Sequence, residues 1–349
     1  MQTSSLTRRI SSAREYLSRK PIYYELKLNY EPDTRIMAKT EIGQDHFLPF
    51  TSKFSPYRHL FMITAGSSGN FTFYDYNNTI NQNVDLVNLE SFQIAYQPII
   101  DFVYTDKSNV PCFGSADGSI IFFNLDNDIN KCSIIATYHP YDQSVTSMCM
   151  LSTCVVSGSR DGHMIGIDPR LDNAEYSYDI DTKLQVITSV VSIDPYYLIC
   201  SGQKSEIYVY DVRNPKKKFA TIESSSESKG RAISCMSLSP DKQTLATVSM
   251  NNIITFYSLQ ESNKYYCVKG YELGTFENRC CFSPDGDYLA TGSKTGAMNI
   301  ISTKEGNYSL LLSHSGPCTS VDWDKSYDYI VSSSNDLTIQ LWKAEYNTK

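Results

Sequence analysis

The chain has 349 residues, 41% of them hydrophobic and 12% aromatic, which is enough apolar surface for a large buried core and excludes a disordered polymer. Its formal net charge of −7 excludes a protein whose whole surface grips nucleic acid, since phosphate binding needs clustered positive charge. No run of 18 apolar residues is present, so no membrane-spanning helix is expected.

From the N-terminus, Leu6, Ile10, Ala13 and Leu17 fall on one helical face of the stretch from Ser5 to Lys20, with Arg8, Arg9, Arg14 and Arg19 elsewhere. This spacing predicts a short amphipathic helix, and residues 1–20 are read as an extension outside the main domain. The Arg- and Ser-rich composition also describes a mitochondrial transit peptide, but the helix is the preferred reading. The run Ile22-Tyr23-Tyr24-Glu25-Leu26-Lys27-Leu28 then reads as a strand.

The rest of the chain repeats a short strand, a small-residue turn and an aromatic or aliphatic strand end, as in PCFGSADGSIIFFN, LICSGQKSEIYVYD and IVSSSNDLTIQLWK. Seven such units end at Tyr74, Phe123, Ile167, Tyr210, Tyr257, Ile301 and Trp342, with separations of 49, 44, 43, 47, 44 and 41 residues. That spacing brackets the period of about 40–45 residues of a four-stranded propeller blade. Ser239-Pro240-Asp241 and Ser283-Pro284-Asp285-Gly286 supply tight turns between first and second strands. The expected fold class is therefore all-β: a single seven-bladed β-propeller over residues 21–349, with Ile22–Leu28 completing the seventh blade and the short helical extension ahead of it. Loops at Asn77–Glu90, Leu171–Asp181 and Thr221–Gly230 are expected to hang from the disc.

Catalytic motifs are absent from the sequence. There is no GxSxG, HExxH or P-loop, and Gly114-Ser115-Ala116-Asp117-Gly118 recurs as an ordinary blade turn. His139 and His314 open their blades, where a structural role is expected, and His46, His59 and His163 complete the set of five. None of the ten cysteines forms a CxxC pair or a zinc-spaced cluster, and reduced, mostly buried thiols are expected. No metal, cofactor or enzymatic activity is anticipated. Lys216-Lys217-Lys218, after a turn proline, reads as a solvated loop, with a docking site for an acidic partner as the alternative.

The repeats resemble the WD40 family over residues 45–343, the last one most closely. In that family a histidine, a hydroxyl, an aspartate and a tryptophan of one blade form a buried hydrogen-bonded set. His314, the Ser332–Ser334 run, Asp336 and Trp342 fall at the matching places, and Asp117 and Asp161 precede their strand ends by the same six residues as Asp336.

Two consecutive strand ends run on as Ile167-Asp168-Pro169-Arg170 and Tyr210-Asp211-Val212-Arg213. They resemble the WDxR box of propellers that serve cullin-4 RING ubiquitin ligases as substrate receptors, although Ile167 stands in place of the tryptophan of the first box and Lys204 in place of the acid of the second. The alternative is a chance tail whose Asp caps the following turn and whose Arg is solvated. Consecutive boxes in the third and fourth blades resemble the denticleless type. The resemblance implies an adaptor-binding set of Asp168, Arg170, Asp211 and Arg213, reinforced by Leu6, Ile10 and Leu17, with substrate proteins held on the opposite face and a nuclear, or otherwise cytoplasmic, location. It implies no direct sequence-specific contact with nucleic acid, no membrane and a monomeric propeller. A WD40 scaffold subunit of another assembly, in splicing, chromatin or trafficking, is the alternative.

Overall fold

Alternating apolar and polar residues dictate strands, and small residues with left-handed backbone preferences fold consecutive strands against one another. A computed structural model describes residues 35–41, 48–56, 61–75, 87–105, 110–126, 131–168, 170, 176–261, 265–269, 272, 278–304, 308–312, 314–325 and 329–343. Among these the only regular elements are β-strands, and none forms a helix long and apolar enough to cross a membrane. The helix expected over Ser5–Lys20, with Leu6, Ile10 and Leu17, lies outside the described residues.

Among the described residues the first strand is β1 (Arg35–Glu41). Four-stranded antiparallel sheets follow in chain order. The first holds β2 (Pro49–Phe54), β3 (Phe61–Gly66), β4 (Asn70–Asp75) and β5 (Val87–Gln93). The second holds β6 (Ile99–Tyr104), β7 (Pro111–Ser115), β8 (Ile120–Asn124) and β9 (Ser133–Tyr138). The third holds β10 (Val145–Leu151), β11 (Cys154–Ser159), β12 (His163–Ile167) and β13 (Tyr178–Asp181). The fourth holds β14 (Ile187–Asp194), β15 (Tyr197–Gly202), β16 (Ile207–Asp211) and β17 (Lys218–Ile222). The fifth holds β18 (Ile233–Leu238), β19 (Thr244–Ser249), β20 (Ile253–Ser258) and β21 (Tyr265–Lys269). The sixth holds β22 (Cys280–Phe282), β23 (Tyr288–Gly292), β24 (Ala297–Ser302) and β25 (Tyr308–Leu312). The seventh holds β26 (Cys318–Trp323), β27 (Tyr329–Ser334) and β28 (Thr338–Lys343), with β1 as its outer strand.

The first strand of each sheet packs against the first strands of its neighbours, from β2 to β6, β10, β14, β18, β22 and β26 and back to β2. These sheets are therefore the seven blades of a closed propeller. The strand on the edge of the seventh blade is Arg35–Glu41, running antiparallel to β28 from Arg35 opposite Lys343 to Glu41 opposite Thr338. Ile22–Leu28, expected at that edge, lies outside the described residues. Two of the three expected surface insertions run into strands instead: Val87–Gln93 and Tyr178–Asp181 are the fourth strands of the first and third blades. The third insertion tucks inward, with Ser225 and Ser228 buried and the Ser225 N–H donating to Tyr257 Oη at 3.0 Å.

The core is divided among the seams between blades. Ile120, Phe122, Val145 and Ile165 fill the seam of blades two and three, and Ile199, Ile207, Met236 and Leu245 that of blades four and five. With the strands of each blade labelled a to d from the axis outward, the b–c turns repeat one backbone conformation. Gly69, Gly118, Gly162, Ser205, Asn252, Gly296 and Leu337 stand at equivalent places with φ from 64° at Ser205 to 86° at Gly162. At Gly118 the need for glycine is also steric, since a Cβ would stand 2.3 Å from the Tyr141 carbonyl oxygen.

Among the described residues no backbone ladder joins one blade to the next, and side chains near the axis take its place. A bulge two residues into a first strand turns Asp101, Ser147, Ser189 or Ser320 toward the following blade. Each then accepts a main-chain N–H: Met148 to Asp101 at 2.8 Å, Val190 to Ser147 at 3.1 Å, Met236 to Ser189 at 3.1 Å and Ser52 to Ser320 at 3.3 Å.

Asp101 is the charged member of this series and is 2% exposed. Lys53 Nζ of the first blade donates to it at 2.8 Å, and Arg279, just before β22, reaches across the axis with Nη1 3.4 Å away. Arg279 Nη2 also donates to the carbonyls of Ile100 and Thr146 at 3.1 Å each. Burial alone would raise the Asp101 pKa, but the charges of Arg279 and Lys53 and the Lys53 and Met148 hydrogen bonds hold it below the usual carboxylate value.

Removing one partner of a buried ion pair leaves the other uncompensated. Asp101→Asn and Arg279→Met are each expected to lower unfolding free energy by about 3 kcal/mol, and the double variant to cost at least about 1 kcal/mol less than the sum. Urea denaturation of the four proteins checks this, and strict additivity would show that the cross-axis contact carries no coupling. Gly118→Ala is expected to lower stability by more than about 1 kcal/mol in the same assay.

Candidate functional site

The places where a chain like this carries chemistry or recognition are its two faces, because antiparallel alternation sends a–b and c–d loops to one face and b–c and d–a loops to the other. Strand ends at Ile167 and Tyr210 deliver the Asp-x-Arg segments to the first of these faces. They lie in the adjacent third and fourth blades.

The two segments have the same geometry. Arg170 Nε donates to Asp168 Oδ1 at 2.8 Å and Nη2 to Oδ2 at 2.5 Å, while the Arg170 N–H caps Oδ1 at 3.0 Å. Arg213 Nε donates to Asp211 Oδ1 at 2.8 Å and Nη2 to Oδ2 at 2.6 Å, with its own N–H on Oδ1 at 2.9 Å. A hydroxyl at or beside the neighbouring a–b turn completes each clamp, Thr153 Oγ1 in the turn at 2.8 Å from Arg170 Nη2 and Tyr197 Oη, at the start of β15, at 3.2 Å from Arg213 Nη2. The arginine hydrogen bonds hold both carboxylates below their ordinary pKa. Exposed ion pairs add little stability, so the effect of this arrangement is to fix two guanidinium groups in one orientation. Their side chains are 56% and 54% exposed.

Tyr196 lies beside Arg213, its ring centroid 4.4 Å from the guanidinium carbon, and is 48% exposed. Tyr176 is exposed on the same face of the third blade. Periodicity did not single out either tyrosine, because each sits in a turn outside the repeat units. Leu6, Ile10 and Leu17, expected to reinforce the arginines, lie outside the described residues.

The structural set of the seventh blade is brought together. Trp342 Nε1 donates to Ser332 Oγ at 2.9 Å, and that hydroxyl lies 2.8 Å from His314 Nε2. His314 Nδ1 is 2.9 Å from Thr338 Oγ1, which donates to Asp336 Oδ1 at 2.5 Å. Both ring nitrogens of His314 are thus engaged by hydroxyls, Nε2 by Ser332 and Nδ1 by Thr338, in a chain that runs from Trp342 to Asp336.

Among the described residues neither Asp117 nor Asp161 has a hydrogen bond to an imidazole ring. Each caps its own b–c turn, accepting the N–H of Ser119 and of His163 at 2.9 Å. His139, expected to open the third blade as His314 opens the seventh, is exposed, and Tyr141 occupies that place. Tyr141 Oη is 2.8 Å from Ser157 Oγ, donates to the Ser157 carbonyl at 2.7 Å and accepts the Ile165 N–H at 3.0 Å. A phenol two residues further on performs the joining task of the imidazole.

Among the described residues no group of three His, Cys, Asp or Glu side chains could hold a metal ion. All ten cysteines are free thiols; Cys112, Cys200, Cys235 and Cys318 are buried and the others half-buried.

Residues 218–258, 273–301 and 307–343 match the family model of the WD domain, G-beta repeat. Human pre-mRNA-processing factor 17 is 26% identical over 195 residues, covering 54% of this chain and 32% of that protein. The COMPASS component SWD3 of Saccharomyces cerevisiae is 27% identical over 113 residues, covering 32% of this chain and 35% of its own. Drosophila melanogaster protein lethal(2)denticleless is 33% identical over 99 residues, covering 27% of this chain and 13% of that protein. The chain thus spans about a third or less of the length of these relatives.

Tyr141→Phe leaves the Ser157 hydroxyl and the Ile165 N–H without their buried partner and is expected to lower stability by about 1–3 kcal/mol. Thermal unfolding checks the effect, against a His139→Ala control expected to stay within about 0.5 kcal/mol of wild type.

Proposed function

We propose that this WD-repeat propeller is a substrate receptor of a cullin-4 type RING ubiquitin ligase, docking the ligase adaptor through Asp168, Arg170, Asp211 and Arg213. The observation that carries the reading is the matched pair of Asp–Arg clamps on one face of adjacent blades. Two guanidinium groups fixed in parallel settings present planar donors to a partner without first losing side-chain freedom. The likeness to protein lethal(2)denticleless supports the same reading. Substrate proteins are held on the opposite face, where Tyr96, 97% exposed in the loop before β6, offers an aromatic contact. The work of the protein is to hold two proteins together rather than to catalyse a reaction, and its place is the nucleus.

A second reading is a scaffold subunit of another assembly, and the longer alignment with pre-mRNA-processing factor 17 favours it. Affinity purification separates the two. Tagged wild-type chain is expected to retain the cullin-4 adaptor in stoichiometric amount, and Arg170→Ala/Arg213→Ala to retain at most about a tenth as much. Absence of the adaptor from both preparations sinks the receptor reading, and recovered splicing or chromatin subunits would then define the assembly.

A further inference from the structure

The c–d loop of the fourth blade carries more charge than the clamp uses. After Arg213 the chain makes two successive turns, with the Asn214 N–H donating to the Asp211 carbonyl at 2.9 Å and the Lys217 N–H to the Asn214 carbonyl at 3.5 Å. Pro215 stiffens the segment further. Lys216, Lys217 and Lys218 leave this turn exposed to solvent.

The charges on this loop fall into two kinds. Arg213 is neutralised at short range by Asp211, so the pair has no net charge and little reach into solution. Lys218 rests its ammonium 3.7 Å from the Tyr208 ring centroid and is tied to the blade. Among the described residues, Lys216 and Lys217 have no carboxylate within ion-pairing distance, on a chain whose net charge is −7. They form an uncompensated basic point a few residues from a rigid, neutral clamp.

We infer that Lys216 and Lys217 are an electrostatic steering site for an acidic protein surface, placed so that the partner's carboxylates meet the lysines while its hydrogen-bond acceptors meet Arg213. The inference rests on the receptor reading for the identity of that partner. The clamp and the lysines divide the task. Short-range, neutralised pairs set how long the complex lasts, and uncompensated charges at the rim set how fast it forms. Duplex nucleic acid fits less well, because two lysines beside a neutral pair neutralise too few phosphates and the rest of the chain is acidic.

Binding kinetics of the purified full chain to the purified cullin-4 adaptor test this across a salt series. Lys216→Gln/Lys217→Gln is expected to lower the association rate constant about five- to tenfold at about 20 mM salt, to leave dissociation within about twofold, and to match wild type above about 0.5 M salt. Arg213→Ala is expected to show the reverse, faster dissociation with an unchanged salt slope. Equal association rates for wild type and the lysine variant overturn the steering site and leave the receptor reading intact. Wild-type chain that does not bind the adaptor overturns both. Retention of a 20-base-pair duplex by wild type and not by the lysine variant, in a mobility-shift assay, would assign the patch to nucleic acid and overturn the acidic-protein partner.

Discussion

The architecture hangs on a carboxylate with almost no access to water. In a propeller the strand ladders run within blades and stop at their borders, so cohesion between blades depends mainly on apolar seams and on the few polar groups that cross them. Asp101 touches the first, second, third and sixth blades through Lys53, its own strand, Met148 and Arg279. Its neighbour in kind, Asp322 on β26, accepts the Phe54 N–H at 2.8 Å but has no arginine, and burial pushes its pKa up to about 6. The contrast shows what the guanidinium supplies. Both carboxylates feel Lys53, but Asp101, whose pKa is lowered, has Arg279 beside it as well, and that cation comes from the other side of the axis.

How much of this was legible in the sequence depends on how local each signal is. The seven strand ends and the b–c turns are short-range features, and a residue such as Gly118 announces its backbone conformation through its identity alone. The Asp-x-Arg segments were equally visible as motifs, but the ion pair that closes each one was not read from them. Arg279 was not, because the contact with Ile100 joins positions 179 residues apart and exists only once the ring has formed. The closing strand was sought at Ile22–Leu28 for its alternation. An outer strand takes its register from the partner it pairs with, here β28, and its own periodicity is a weak guide. Tyr141 escaped notice for another reason: an imidazole was sought at its place, and a phenol hydroxyl satisfies the same donors and acceptors from a different residue type.

The two faces of the disc differ in a way that suits a bridging protein. On one, neutralised guanidinium groups of the third and fourth blades sit beside Tyr196, offering directional donors and an aromatic plate. On the other, the d–a loops pack onto the b–c turns, as where the His314 N–H donates to the Gly296 carbonyl at 3.2 Å, so that side chains on this face stand on braced backbone. A rigid disc of this kind keeps the groups on its two faces at a fixed separation.

The pairing of β1 with β28 brings Arg35 opposite Lys343, and this has a consequence for how the molecule comes into being. During synthesis the seventh blade lacks its outer strand's partner until almost the whole of this sequence has left the ribosome. Until then the nascent ring is an open arc whose terminal blades expose unpaired edges and apolar seam residues. Contacts of such high sequence separation slow folding, because the loop between them must close before they contribute anything. Separating the two ends of the finished chain requires tearing this one sheet, so the feature that makes assembly slow and exposed also adds to the barrier to unfolding.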